Sequence, residues 1–314
     1  MSEIRSLILV IPFVFLGCAT GFVPGAPEGS IDVIAHRGAS AYAPENTLSS
    51  FRKAVEMGAH WFELDVHLSK DDKLVVIHDN ELKRIAGVEG KVTEKNWEEL
   101  KNLDVGFWFS PKFKGEKIPL LEDALRLAKN KTGVYIELKS SDFDDPLYPQ
   151  IIVTIHGKEE LTPELKAKLD SIIYGSKSRN ITLARKTVEL VKKMRMEKQV
   201  VIQSFSPIIV YVLVNEAPNI KVEFLGEVSE EHPEWWNYYV LLGKILKVDG
   251  MNVKKDDLTK ERLDMFHSWG ATVAVWTVDA EEEMRKFAEW GVDAIITNKP
   301  DVALKVLKDL GKLK

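Results

Sequence analysis

The chain has 314 residues, 45% hydrophobic and 29% charged, with one cysteine and a formal net charge of −5. That is a globular composition, large enough for one big core. The acidic balance and the lack of a long basic block argue against nucleic acid as a partner, and a lone cysteine excludes an intrachain disulfide.

In chain order, Ser2-Glu3-Ile4-Arg5 leads into an apolar run over residues 7–16, interrupted only by Pro12. A bilayer span needs roughly twenty residues, so this run reads as the core of a signal peptide. Phe15-Leu16-Gly17-Cys18 follows and looks like a bacterial lipobox, with Phe where Leu is commoner. In such a motif the peptide is removed before a cysteine that is then acylated. The expectation is a signal peptide over 1–17, a lipid anchor on Cys18, a Gly/Pro-rich tether over 18–30 and one folded domain over 31–314. The mature protein is then a membrane-anchored lipoprotein outside the cytoplasm; a soluble secreted or periplasmic protein is the alternative.

From residue 31 onward, strand-like and helix-like segments alternate. A strand over 31–36 precedes a helix over 46–57, with Leu48, Phe51, Ala54 and Val55 at helical spacing. The second strand covers 61–66. No helix follows it. Residues 69–73 form a tight turn and 74–78 run back, an antiparallel pairing that sets His78 beside Asp65. Residues 80–118 lack a βα pattern and, with Phe107, Trp108, Phe109 and Phe113, read as a cap.

Alternation resumes with helix 120–130, strand 134–138, helix 182–197, strand 200–205, helix 207–216 and strand 222–225. It continues with helix 235–242, strand 246–250, helix 259–269, strand 271–278, helix 280–290, strand 292–297 and a helix over 300–310. Residues 140–180 read as a long βα loop at the active-site end. Eight parallel strands with crossover helices predict an α/β fold, a TIM (β/α)8 barrel with a small insertion, about 67–118, after the second strand. A doubly wound sheet is the alternative, but no Gly-x-Gly-x-x-Gly turn follows the first strand.

Side chains alternate along a strand, so Glu63, Asp65 and His67 share a face. Two carboxylates on one face repel unless a cation lies between them, and Ca²⁺ or Mg²⁺ takes carboxylate oxygens. No closely spaced His and Cys set lies nearby, which argues against structural zinc. Glu137 and Lys139 end another apolar run and add a third carboxylate and a cation. That set suits a metal plus an anionic substrate. Arg37 and Lys139 are the local cations that an acidic chain needs to hold such a substrate. His67 lies one step beyond Asp65 and reads as a supporting or surface residue. His60, His156, His232 and His267 read as surface residues.

Taken together, His36-Arg37-Gly38, Pro44-Glu45-Asn46-Thr47, Glu63-Leu64-Asp65-Val66 and His78-Asp79 form a string that resembles the glycerophosphodiester phosphodiesterases. The likeness covers nearly all of 31–303, through Leu103-Asp104-Val105-Gly106, the stretch 118–125, Gln203-Ser204-Phe205, Val275-Trp276-Thr277-Val278 and 291–297. It implies a TIM barrel in which His36 and His78 are general acid and base. It implies one divalent cation, Ca²⁺, Mg²⁺ or Mn²⁺, on Glu63, Asp65 and Glu137, with Arg37 and Lys139 contacting the phosphate. Glu45, Asn46, His67, Phe205 and Trp276 are expected to support the site or touch substrate. Asn298-Lys299 departs from an Asp-containing ending after the last strand, and Asp72 stands where the turn often has Gly.

The implied reaction is hydrolysis of a glycerophosphodiester, a deacylated phospholipid, to an alcohol and sn-glycerol 3-phosphate. Either water or the glycerol 2-hydroxyl serves as nucleophile, and either histidine serves as acid. Two other readings stand beside it. One is a lysophospholipase D, with a hydrophobic groove built from Phe107, Trp108, Phe109, Phe113, Trp235 and Trp236. The other is an anchored, non-catalytic binding protein.

Overall fold

The structure is a computed structural model that describes residues 29–140 and 142–313. The signal peptide, the lipobox with Cys18 and nearly all of the tether lie outside the described residues. β1 (Asp32–Ala35) leads through α1 (Leu48–Met57) to β2 (Trp61–Leu68), from which β3 (Leu74–Val76) folds back. Two single turns, α2 (Lys83–Ala86) and α3 (Trp97–Leu100), occupy the insertion before α4 (Leu121–Ala128) and β4 (Gly133–Leu138). Then come α5 (Tyr148–Ile155), α6 (Pro163–Gly175), α7 (Arg179–Met194), β5 (Val200–Ser204), α8 (Pro207–Glu216) and β6 (Lys221–Gly226). The chain closes with α9 (Trp235–Leu246), β7 (Gly250–Lys254), α10 (Lys260–Ser268), β8 (Thr272–Trp276), α11 (Glu281–Trp290), β9 (Ala294–Thr297) and α12 (Pro300–Asp309).

The strands pair in the order β1-β9-β8-β7-β6-β5-β4-β2, and β1 pairs with β2 to close the ring. These eight are parallel, so the fold is a TIM barrel, with β3 antiparallel on the outer end of β2. The register sets Asp65 opposite Glu137 and Glu137 opposite Gln203. Those pairings bring polar side chains from neighbouring strands to one rim, where βα connections begin.

Period-two alternation sorts the strand residues into two cores. Phe62, Leu64 and Val66 face the helical layer, and Phe62 stacks on Phe51 of α1 with ring centroids 4.5 Å apart. Truncating a ring so buried costs about 3–5 kcal/mol. The opposite parity fills the barrel with Ile34, Trp61, Tyr135, Val201, Ala274 and Ile296. Glu223 is buried there too, and Tyr135 Oη donates to its Oε1 at 3.2 Å. Burial pushes the Glu223 carboxyl up to about 7. Among the described residues, no helix is long and apolar enough to cross a membrane.

The insertion after β2 has a separate core of Val75, Ile77, Leu82, Ile85, Val92, Leu100, Val105 and Ile118. The stretch 140–180, expected to be a loop, contains α5 and α6 instead. Ile151 and Ile155 on one, and Leu165, Leu169 and Ile173 on the other, recur at helical spacing and are buried. Three prolines and a dense run of charge mask that period in the sequence. The seventh strand is also displaced, running 250–254 rather than 246–250. Lys247 takes a left-handed conformation and Val248 N donates to Gly243 O at 3.2 Å, so Leu246 and Val248 end α9. Met251 and Val253 supply the strand's apolar residues.

Candidate active site

The turn after β1 explains His36-Arg37-Gly38. Arg37 and Gly38 both have positive φ, 55° and 79°. A Cβ on Gly38 would lie 2.4 Å from Ser50 Oγ, so only glycine lets the turn pass this close to α1. The turn aims Arg37 N at Glu63 Oε2, 2.8 Å away. Pro44-Glu45-Asn46-Thr47 follows the same logic. Thr47 caps α1 by accepting from Ser50 N at 3.3 Å. Asn46 Nδ2 donates to Asp65 Oδ2 at 2.7 Å, and its Oδ1 accepts from Asp65 N at 3.1 Å. This two-point grip fixes the Asp65 side chain. Glu45 accepts from Arg37 Nη1 at 3.0 Å.

Glu63, Asp65 and Glu137 are buried, and one oxygen from each lies within 4.8 Å of the others. Burial, reinforced by Asp65 and Glu137, drives the Glu63 carboxyl well above its usual range. Burial likewise raises Glu137, although Lys139 opposes it. For Asp65, burial is outweighed by Lys139 and Arg37, which hold it well below the carboxylate range. Lys139 Nζ sits 2.6 Å from Glu137 Oε1 and 3.6 Å from Asp65 Oδ1, while Arg37 Nε is 3.5 Å from Asp65 Oδ2. Glu63 Oε1 is buried with no hydrogen-bond partner. An orphaned carboxylate oxygen in an all-oxygen donor set fits a hard divalent cation.

His36 and His78 flank this cluster and are oriented differently. Asn298 Nδ2 donates to Asp279 Oδ2 at 2.6 Å, which turns Asn298 Oδ1 toward His36 Nδ1, 2.7 Å away. A carbonyl oxygen only accepts, so His36 carries its proton on Nδ1 and presents a bare Nε2. Burial, with help from Arg37, lowers His36 to about 4. His78 Nδ1 instead lies 2.6 Å from Asp79 Oδ1. Burial disfavours the charged Asp79, but hydrogen bonds from Arg84 and His78 prevail and lower it to about 2. Arg84 also reaches Glu45, with Nη2 to Oε1 at 2.8 Å, so an ion-pair chain runs Arg37–Glu45–Arg84–Asp79 to His78.

The structure thus brings His36, Arg37, Glu45, Asn46, Glu63, Asp65, His78, Glu137 and Lys139 together. His67 is a buried support: its Nε2 donates to the His78 carbonyl at 2.9 Å. Phe205 and Trp276 meet edge to face at 5.6 Å, and Phe205 borders the cavity above the site. Among the other histidines, His60 is half-buried, accepting from Val33 N at 3.2 Å, while His156, His232 and His267 are exposed. Asp79, Arg84, Asp279 and Asn298 are the site residues that sequence reasoning left without roles. Asp79 stood inside the motif string and Asn298 at a noted departure, but their partners are distant in sequence.

This constellation can be set beside known proteins. The sequence profile of the glycerophosphoryl diester phosphodiesterase family matches residues 36–302. The chain belongs to that family. A glycerophosphodiester phosphodiesterase of Caldanaerobacter subterraneus is 31% identical over 280 residues, covering 89% of this chain and 98% of that protein. Among solved structures, a glycerophosphodiester phosphodiesterase from Parabacteroides distasonis shares 29% identity with a TM-score of 0.67, covering 91% of this chain and 100% of that one. A phosphodiesterase of Oleispira antarctica, solved with the product sn-glycerol-3-phosphate, has the same fold at 23% identity. Its TM-score is 0.68, with 89% of this chain and 97% of that one covered. The chain is accordingly a phosphoric diester hydrolase acting on glycerophosphodiesters.

Proposed function

We propose that this phosphodiesterase cleaves glycerophosphodiesters to an alcohol and sn-glycerol 3-phosphate with one divalent cation and two proton-transferring histidines. The observation that carries the reading is the buried triad with its unpartnered Glu63 Oε1, flanked by Arg37, Lys139 and both histidines. Glu63, Asp65 and Glu137 would hold Ca²⁺, Mg²⁺ or Mn²⁺. Such an ion supplies Lewis-acid stabilisation of negative charge on the phosphoryl oxygens.

The chain's own groups do the rest. Arg37 and Lys139 neutralise charge that grows on the phosphate during attack. His36, neutral with Nε2 bare, accepts the proton of the attacking hydroxyl, whether water or the glycerol 2-hydroxyl. His78, held by ionised Asp79, delivers a proton to the leaving alkoxide. The Oleispira protein's complex with the product sn-glycerol-3-phosphate supports the same product here. The proposal includes anchoring: a lipid on Cys18 would keep the barrel at a membrane outside the cytoplasm, near its diesters. Mass spectrometry of the native N-terminus tests that part; an unmodified Met1 refutes it.

The deciding assay is hydrolysis of glycerophosphocholine by metal-stripped protein, with Ca²⁺, Mg²⁺ or Mn²⁺ restored singly. Turnover that depends on one of them supports the reading. Full turnover with no metal detectable by elemental analysis refutes it.

A further inference from the structure

The groove expected from Phe107, Trp108, Phe109, Phe113, Trp235 and Trp236 does not form. Trp236 is buried under Arg262, and Trp235 lies on α9 with its ring 6.5 Å from that of Tyr148. The other four make a surface of their own on the insertion. Trp108 meets Phe109 edge to face at 5.8 Å, and Phe109 meets Phe113 at 5.6 Å. Lys112 Nζ lies 4.8 Å from the centre of the Phe113 ring. Phe107 is 55% exposed and Trp108 is 42% exposed. Single exposed hydrophobic residues are ordinary, but adjacent rings linked into one patch mark an interaction surface.

The chain carries a net charge of −5, yet this loop is basic. Residues 101–117 hold Lys101, Lys112, Lys114 and Lys117 against two acids, Asp104 and Glu116. Both acids are engaged within the fold. Asp104 accepts from Gly106 N and Phe107 N at 2.9 Å each and from Gly115 N at 2.7 Å, and Glu116 accepts from Ser49 Oγ at 2.8 Å. Lys112, Lys114 and Lys117 stay exposed, and among the described residues none of the three enters an ion pair.

Exposed rings beside lysines suit a lipid–water interface with anionic head groups. The rings enter the head-group region, and each lysine strengthens binding about fivefold. A protein partner is a poorer match, because two rings bury ~150–250 Å² each, well short of the ≈800 Å² per partner of a stable interface. The patch also adjoins the support of His78. Arg84, whose guanidinium lies 5.8 Å from the Trp108 ring centre, pairs with Asp79 and Glu45.

We propose that the tip of the insertion, Phe107 and Trp108 with Lys112 and Lys114, docks on an anionic lipid surface. The inference goes beyond the phosphodiesterase reading and needs neither the cation nor a lipid on Cys18. An anchor at residue 18 would hold the chain at a membrane without choosing which side of the barrel faces it. The tip would choose the side that carries the insertion.

The test is quenching of Trp108 fluorescence by phosphatidylcholine brominated on its acyl chains, in vesicles with and without phosphatidylglycerol. The full-length purified protein is used. The difference between wild type and Trp108→Phe isolates this ring from the other tryptophans. Residues 1–30 contain no tryptophan, so insertion of the N-terminus alone cannot produce the signal. The expected result is quenching on the anionic vesicles that is lost without phosphatidylglycerol. It should also be lost when salt rises from about 0.1 M to about 1 M, which shortens the Debye length from ~10 Å to ~3 Å. Lys112→Glu with Lys114→Glu should weaken docking at least ~25-fold, from about fivefold per lysine, and Phe107→Ser should also lose the quenching. Neither variant touches the catalytic cluster, so turnover of glycerophosphocholine in solution should be unchanged and reports an intact fold. Should a variant lose that turnover, the salt and lipid dependence of the wild type carries the test alone. No quenching of Trp108 on anionic vesicles, or equal quenching on both compositions, overturns the proposal. Self-association without vesicles that Phe107→Ser abolishes also overturns it, and makes the patch an interface between copies. None of these outcomes bears on the phosphodiesterase reading, which fails only with metal-dependent turnover itself.

Discussion

Removing and restoring the cation tests the carboxylate triad without any assay of catalysis. With no ion, Glu63 is buried against Asp65 and Glu137, and its Oε1 has no partner. A cation that binds the folded state alone, at 100 times its dissociation constant, adds about 2.7 kcal/mol. Unfolding entropy near ~2.1 cal/mol/K per residue gives about 0.6 kcal/mol per degree for a domain of this size, so the midpoint should rise by about 4–5 °C. Because burial beside Asp65 and Glu137 raises the Glu63 carboxyl, a cation competes with its protonation, and binding should tighten with rising pH by up to about tenfold per unit. Glu63→Gln should reverse the pattern. Glutamine cannot ionise, so the metal-free variant carries no cost of a charge at this buried position and should melt at or above the metal-free wild type, and the response to cation should vanish. The readout is a thermal melt in chelator and then in 10 mM Ca²⁺, Mg²⁺ or Mn²⁺ (about that concentration, to exceed a weak site). An unshifted wild-type midpoint with all three ions would falsify the assignment, as would an equal shift in Glu63→Gln.

Other outcomes are expected from single substitutions. His36→Ala and His78→Ala should each lose about 10²–10⁴-fold in kcat on a natural diester while the barrel stays folded, and wild-type turnover in either would contradict its role. His67→Ala should lose less than about tenfold in rate, but about 1–3 kcal/mol in stability from the unpaired His78 carbonyl; a loss of rate equal to that of His78→Ala would make His67 a catalytic group. Glu223, with a folded pKa of about 7 against ~4.5 unfolded, contributes most below pH 4.5 and loses that contribution as pH rises through 7. Glu223→Gln should therefore stabilise the protein by up to ~3 kcal/mol at pH 8 and by almost nothing near pH 4.5; equal effects at both would show the carboxyl already ionised in the fold.

The barrel was legible because strand-like and helix-like segments alternate, and because β2 and the stretch at the end of β4 carry polar pairs whose period of two survives in the sequence. Glu63 and Asp65, Glu137 and Lys139, and the hairpin that returns His78 to Asp65 needed only local geometry. What was not legible depended on contacts distant along the chain. Asp279 orients Asn298, which sets the tautomer of His36, across a separation of more than two hundred residues. Arg84 joins Asp79 to Glu45 by crossing from the insertion to the first βα turn. The helices of 140–180 failed to stand out because Pro146, Pro149 and Pro163 punctuate them. Pro149 and Pro163 in fact sit in first turns, where proline is tolerated.

The insertion has a core of its own, and that divides responsibility for the reaction. Glu63, Asp65, Glu137 and His36 are fixed by barrel strands, whereas His78, Asp79 and Arg84 ride on the segment packed around Leu82, Ile85, Val92 and Leu100. A unit of about fifty residues or fewer buries little surface and can open by itself. Lesions at Val92 or Leu100 would then leave an intact barrel with its carboxylate triad in place and His78, the proposed proton donor, displaced. Such a protein would keep the barrel's melting transition and the response to cation and still lose about 10²–10⁴-fold in kcat, as His78→Ala should.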